Sequence, residues 1–253
     1  MARSGGTMVG KCIACMDNIS LLSEVSPLTF IEKHNPVSQA IRFHQLLNQD
    51  DIQELKQMES ISWLNAIEFV YERAQRQGKH LVLRDWSHLD FTGIPWFPNP
   101  AYKSTTAYVL DTHFDVKKIA TVRHPIDQWL SLSKLDIAKG NITIEKFLKG
   151  YLAFAKYAVE IGFIRFEDFT QRPEHYSELI CRQLEIPYDA DFINKWSAYK
   201  KITGDMSIKS QGRATHTGKV QTLAKAVISA ELTDKLNASA DFRESMKLLG
   251  YEE

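Results

Sequence analysis

Two stretches and two isolated side chains carry the residue types that chemistry needs. The first stretch is Arg3-Ser4-Gly5-Gly6-Thr7-Met8-Val9-Gly10-Lys11-Cys12, a small cationic loop running into a helix expected from Thr7 to about Met16. Paired glycines let backbone approach a ligand without Cβ clashes, and a helix start leaves its first four N–H groups unbonded at the positive end of the dipole. The guest that suits such a place is a phosphate. The second stretch is Arg123-His124-Pro125-Ile126-Asp127-Gln128-Trp129-Leu130-Ser131. A helix rises about 1.5 Å per residue, so Ser131 lies within ~10 Å of a helix started at Pro125, and a long guanidinium side chain closes that gap. Arginine and serine can therefore meet on one anion. Glu24 and His88 are the two isolated side chains, titratable groups at the ends of expected strands. A neutral imidazole titrates near physiological pH, whereas a carboxylate needs a raised pKa or a strongly acidified acceptor.

These residues need a sheet to position them. Strands are expected at Ile19–Leu22, His80–Arg84, Val116–Val122 and Phe163–Phe166, with helices at about 37–47, 50–58, 62–77, from Pro125, 143–160, 173–184, 189–200, 231–237 and 241–249. Strands alternating with helices imply an α/β fold: a three-layer parallel sheet with helices on both faces, formed as a single domain over residues 1–253. Ligands gather at the carboxyl ends of such strands, and Glu24, His88 and Arg123 all fall there. One element is missing from the pattern. A buried strand should deliver the chain to an anion loop, yet only Met1 and Ala2 stand ahead of Arg3. Either the sequence is truncated before its first strand, which is the expectation, or the sheet lacks its central strand and two neighbouring strands are left unpaired. Between Asp90 and Thr106, Phe91, Trp96, Phe97 and Tyr102 alternate with Pro95, Pro98 and Pro100, a loop that either lines an acceptor pocket or packs on the surface.

The two stretches together resemble the signature of sulfotransferases. Arg3-Ser4-Gly5-Gly6-Thr7 is similar to the family's R/K-S-G-T/S-T loop, and Arg123 through Ser131 to its R-[DNH]-P-x-D-x-x-x-S element. The resemblance implies a phosphate-loop-type fold that binds 3′-phosphoadenosine 5′-phosphosulfate (PAPS) without a metal. Arg3, Ser4, Gly5, Gly6, Thr7 and Met8 would take the 5′-phosphosulfate side, with Arg3 also neutralising charge in the reaction. Met8 stands where the family often has an aromatic. Arg123 and Ser131 would take the 3′-phosphate, under a basic lid from Ser210-Gln211-Gly212-Arg213, flanked by Lys209 and Lys219, with Gly212 and Arg213 as ligands. Arg165-Phe166-Glu167-Asp168-Phe169 is similar to a structural R-[YF]-E-D-[LF] strand. Ser23-Glu24-Val25-Ser26-Pro27 resembles the catalytic-glutamate segment of carbohydrate and tyrosyl-protein sulfotransferases, and Ser87-His88-Leu89 the catalytic-histidine segment of cytosolic ones, with Trp86 replacing that segment's lysine. The implied reaction moves a sulfuryl group to a hydroxyl or amine of a small molecule or carbohydrate.

A second reading uses the same loop. Gly5 to Lys11 fits most of the triphosphatase pattern G-x-x-x-x-G-K-[ST], which implies a kinase or nucleotide triphosphatase, but Cys12 replaces the hydroxyl that holds Mg²⁺. The strand before Pro125 also ends in Arg123, not an acid. A catalytically silent nucleotide-binding module is a third reading. Lys11, a helical turn beyond Thr7, is expected to be a surface or supporting charge.

Composition narrows the partners. Of 253 residues, 31 are basic and 31 acidic, so no global field favours nucleic acid or an anionic membrane, and any anion site must be local. Hydrophobic residues make up 44%, ordinary for a globular domain, and no run approaches the roughly 20 apolar residues of a membrane span. Three cysteines exclude a full disulfide framework and favour a reducing, cytoplasmic setting; Cys12-x-x-Cys15 reads as a buried helix face.

Overall fold

The computed structural model describes residues 1–58, 60–204, 220–222 and 228–251. Gly6–Ala14 (α1) leads into strand Ile19–Val25 (β1). Pro36–Gln39 (α2) continues as a π-helical stretch to His44, and Gln49–Gln57 (α3) and Trp63–Arg76 (α4) precede strand His80–Asp85 (β2). His88–Phe91 (α5) and Thr105–Leu110 (α6) follow, then Ala120–Val122 (β3), Pro125–Leu132 (α7), Ile144–Ile161 (α8) and Phe163–Arg165 (β4). Phe166–Gln171 (α9), Pro173–Gln183 (α10), Phe192–Lys195 (α11), Ala230–Ala238 (α12) and Ala240–Leu249 (α13) complete the described chain.

Local sequence accounts for most helix boundaries. Asn48 and Asp51 form a reciprocal capping box on α3, and the side chains of Ser62, Ser104 and Thr143 accept the N3 amides of α4, α6 and α8. The α4 residues Trp63, Ile67, Val70 and Ala74 recur at helical spacing and are buried in a core shared with Leu22 and Val25 of β1. Phe147, Tyr151, Phe154, Ala155 and Ala158 of α8 make a second core with Val122, Phe242 and Met246. A third holds Val9, Cys12 and Ile13 of α1 against Ile180, Cys181, Phe192 and Trp196. Burial raises the Cys12 thiol well above its ordinary value, Cys15 to about 12 and Cys181 to about 11, so all three stay protonated at neutral pH, Cys12 and Cys181 in the core and Cys15 at its edge.

The strands pair in two separate parallel ladders. In one, Ile19 of β1 lies opposite His80 of β2, with a bulge between Ser23 and Val25; in the other, Ala120–Val122 lies opposite Phe163–Arg165. No ladder joins β2 to β3 among the described residues. The layered α/β architecture is the expected one. Several boundaries differ from expectation. β1 runs to Val25, so Glu24 lies within a strand end, not in the loop beyond it. β3 begins at Ala120, not Val116, because the Gln183 amide takes the Lys118 and Ile161 carbonyls at 2.7 Å each and closes the ladder there. The chain after Arg165 turns at once into α9, so β4 ends one residue early, and α6, capped by Ser104, begins within the last two residues of the stretch read as loop. Among the described residues no helix is long and apolar enough to cross a membrane.

Candidate functional site

The N-terminal loop is shaped by two left-handed residues, Arg3 at φ 63° and Gly5 at φ 89°. Gly5 precedes α1, and a Cβ there would stand 2.1 Å from the Phe166 ring, so position 5 has room for glycine only. The amides of Met8 and Val9 both bond to the Gly5 carbonyl, whereas those of Gly6 and Thr7 have no backbone acceptor among the described residues. Ser4 is buried and donates to the Met1 carbonyl at 2.9 Å. Met8 is partly buried against the α1 core. Lys11 is buried, not on the surface, because residues 9–14 of α1 are covered on every side.

The second stretch meets this loop directly. Arg3 Nε donates to Ser131 Oγ at 2.9 Å across 128 residues of sequence. Arg123 Nη1 donates to the Arg3 carbonyl at 3.3 Å, and Gln128 Nε2 to the Ala2 carbonyl at 2.7 Å. Arg123 also lies 5.7 Å above the Phe166 ring, and the buried Tyr151 hydroxyl holds its carbonyl at 2.6 Å. Glu167 receives the His124 amide at 2.8 Å and the Tyr251 hydroxyl at 2.9 Å, so this acid anchors the start of α7, the structural role expected of it.

Glu24 sits beside the loop, in a left-handed conformation at φ 55° and with its side chain only 19% exposed. Arg84 reaches it at 3.2 Å while also donating to Ser23 Oγ at 2.7 Å, to the Thr203 carbonyl at 3.0 Å and to Thr7 Oγ1 at 3.2 Å. The Thr203 hydroxyl donates to the other Glu24 oxygen at 2.8 Å. A Cβ on Gly204 would stand 3.1 Å from both Glu24 Oε1 and Thr7 Oγ1, so the carboxylate and the loop hydroxyl converge under residues 203–204. Burial opposes ionisation of Glu24, but Arg84, the Thr203 hydrogen bond, His88 and His34 outweigh it and hold the carboxyl below its ordinary range.

His88 begins α5 and is buried; burial pushes its imidazole down to about 4, against the opposing pull of Glu24. Its Nε2 has no hydrogen-bond partner among the described residues. The nearby acids make other bonds: Asp85 accepts the Thr106 and Ser104 hydroxyls at 2.6 and 3.3 Å, and Asp90 accepts Thr105. His34, with Nδ1 3.9 Å from Glu24, stacks on Trp86 at 4.0 Å, and Trp86 meets both His88 and the half-exposed Trp96 edge-on at 5.5 Å. The aromatic loop is thus divided, with Phe91 in the core and Trp96 facing this cluster.

Arg3 through Thr7, Arg123, Ser131, Glu24 and His88 are therefore brought to one region by the carboxyl ends of β1, β2 and β3. Gly212 and Arg213, with Lys209, Ser210 and Lys219, lie outside the described residues. Arg84, His34 and Thr203 were not singled out in the sequence. Arg84 carried a readable signal, a cation closing an otherwise apolar strand, whereas His34 and Thr203 sit in no motif.

No family model and no curated protein matches this chain by sequence. Among solved structures it is similar to a sulfotransferase domain from the curacin biosynthetic pathway, at 16% identity and a TM-score of 0.65, covering 99% of this chain and 95% of that one. It is also similar to a sulfotransferase domain from the Synechococcus PCC 7002 olefin synthase, at 16% identity and a TM-score of 0.62, covering 99% and 92% of the two chains. The fold is the sulfotransferase fold.

Proposed function

We propose that the protein is a PAPS-dependent sulfotransferase acting on a hydroxyl or amine of a small molecule or carbohydrate. The observation that carries this reading is the 2.9 Å bond from Arg3 to Ser131, with Arg123 on the Arg3 carbonyl, which joins two anion-binding stretches far apart in sequence. The residues fit the nucleotide: the Gly6 and Thr7 amides lack backbone acceptors, Gly5 lies where no larger residue fits, and two arginines flank the loop. Arg3 and the Gly6 and Thr7 amides would hold the 5′ side, and Arg123 and Ser131 the 3′-phosphate. When bound, PAPS supplies a sulfuryl group activated by its link to phosphate.

The protein's own groups then divide the work. Arg3 and the α1 amides stabilise negative charge on the leaving oxygens. Glu24 is ionised at neutral pH, held beside Thr7 by the Arg84 clamp; with its carboxyl below the ordinary range, it takes the proton of an acceptor that the site itself acidifies. His88 is neutral and has a vacant Nε2, which makes it the alternative base. The half-exposed Trp96, edge-on to the buried Trp86, offers a face on which a sugar or an aromatic acceptor stacks. The balanced charge supports such an acceptor over nucleic acid, and the buried free thiols suit a cytoplasmic setting. Calorimetry with 3′,5′-adenosine bisphosphate against ATP plus Mg²⁺ tests the assignment: we expect binding of the bisphosphate alone, and a preference for ATP would refute it.

A further inference from the structure

A small pocket of about 90 Å³ lies between the α2 region and residues 200–203. Its lining combines the three cations Lys33, Arg42 and Lys200 with Ser38, Gln39 and Thr203, and holds no acid among the described residues. All three cations are exposed, and none makes an ion pair among the described residues. Like charges gathered at one small pocket repel, and an anion placed between them removes that repulsion. The inner wall is held in place by β1. Gln39 is buried; its side-chain oxygen accepts the Ser23 amide at 2.7 Å, and its Nε2 donates to the Ser23 and Lys33 carbonyls at 2.9 and 3.2 Å. Thr203 is buried too, with its hydroxyl on Glu24 Oε2 at 2.8 Å and its carbonyl accepting Arg84 at 3.0 Å, while Ile202 packs on Ala14 and Leu21. Glu24 does not line the pocket, and its charge is matched by Arg84 at 3.2 Å, so it does not cancel the cations at the rim.

We propose that this pocket is a second anion site, separate from the N-terminal loop, which takes one carboxylate or sulfate group. Its volume exceeds the ~10–15 Å³ that admits a single water and falls well short of the roughly 300 Å³ at which small-molecule pockets begin, so an ionised group enters and a whole nucleotide does not. The planar Arg42 guanidinium suits two oxygens of one group at once, the two lysines add charge, and Ser38 supplies a hydroxyl donor. Thr203 both lines the pocket and bonds to Glu24, so the site adjoins the candidate base. The bound group has two possible sources, a free anion or the acid end of the acceptor itself. Only the second source rests on the sulfotransferase reading.

The test titrates the full chain with sodium sulfate, at an ionic strength held constant with sodium chloride, and follows the backbone amides of Ser38, Arg42 and Thr203 by NMR. We expect saturable shifts at these amides, with affinity weakened by at least about tenfold in Arg42→Gln and in Lys200→Gln and unchanged in Arg123→Ala. Both substituted pocket cations are exposed, so the fold is kept. Hexanoate and 6-hydroxyhexanoate, titrated in the same way, separate the two sources. Equal affinity marks a site for a free anion, and tighter binding of the hydroxy acid marks a site for the acceptor's own acid group. Shifts that grow linearly with sulfate, saturable binding that persists in both pocket variants, or an equal loss in Arg123→Ala overturns the proposal. Failure of bisphosphate binding, by contrast, removes the proposed reaction and not this pocket.

Discussion

Gly5→Ala is expected to damage the anion loop through two separable costs. Position 5 has φ 89°, a region that costs an L-residue with a Cβ about 1–2 kcal/mol. The added methyl would also stand 2.1 Å from Phe166 Cδ2, and over-packing a well-filled site costs about 1–3 kcal/mol as the ring is displaced. We expect a total of about 2–5 kcal/mol in urea unfolding. Phe166→Leu alone removes part of the ring and has its own cost. In the double variant, however, Gly5→Ala should cost only its backbone share, a coupling of about 1–3 kcal/mol. Gly6→Ala is the control, because the nearest atom to a Cβ there is 3.8 Å away, so stability should change by less than about 0.5 kcal/mol while nucleotide binding weakens at the crowded cradle. A Gly5→Ala cost below about 1 kcal/mol, or one unaffected by Phe166→Leu, would refute the packing described for the loop.

Three further outcomes are expected. Burial holds His44 and His88 at about 4, so between pH 6.5 and 4 the unfolded chain takes up protons that the folded chain refuses. The stability due to each histidine is full above pH 6.5 and falls by up to about 3 kcal/mol toward pH 4; wild type should lose that much more than His88→Asn in urea melts at pH 7 and 4.5, and equal losses would contradict it. Glu24→Gln should lower turnover by about 10²–10⁴-fold with bisphosphate affinity retained, and full turnover in both Glu24→Gln and His88→Asn would remove the two as bases. Arg84→Met should lower turnover and raise the apparent pKa of Glu24 in the pH–rate profile, because Arg84 is the strongest of the groups favouring the ionised carboxyl; an unchanged profile would refute the clamp.

The legible parts of this protein were those with local causes. Serine and threonine caps with helical apolar spacing located α4 and α8 closely, and the proline-started helices after Arg123 and Arg172 were correct to their first residues. Glu24 and Ser131 were visible because their motifs are contiguous. Arg84, His34 and Thr203 were not, since they matter only through residues that chain reversal brings beside them from up to 180 positions away. The boundary of β3 was likewise hidden, because it depends on the Gln183 side chain of a later helix. Buried Lys11 ran against its polarity: α1 is enclosed on all sides, and nothing in one cationic residue tells how many faces of its helix are covered.

The central claim is that one nucleotide bridges the two stretches, with Arg123 and Ser131 on its 3′-phosphate. Calorimetry of wild type and Arg123→Ala with 3′,5′-adenosine bisphosphate and with adenosine 5′-monophosphate measures this directly. A charge-assisted hydrogen bond is worth about 1.5–3 kcal/mol, so wild type should favour the bisphosphate by roughly 10–100-fold and Arg123→Ala should lose most of that preference. An undiminished preference in Arg123→Ala, or none in wild type, would contradict the claim.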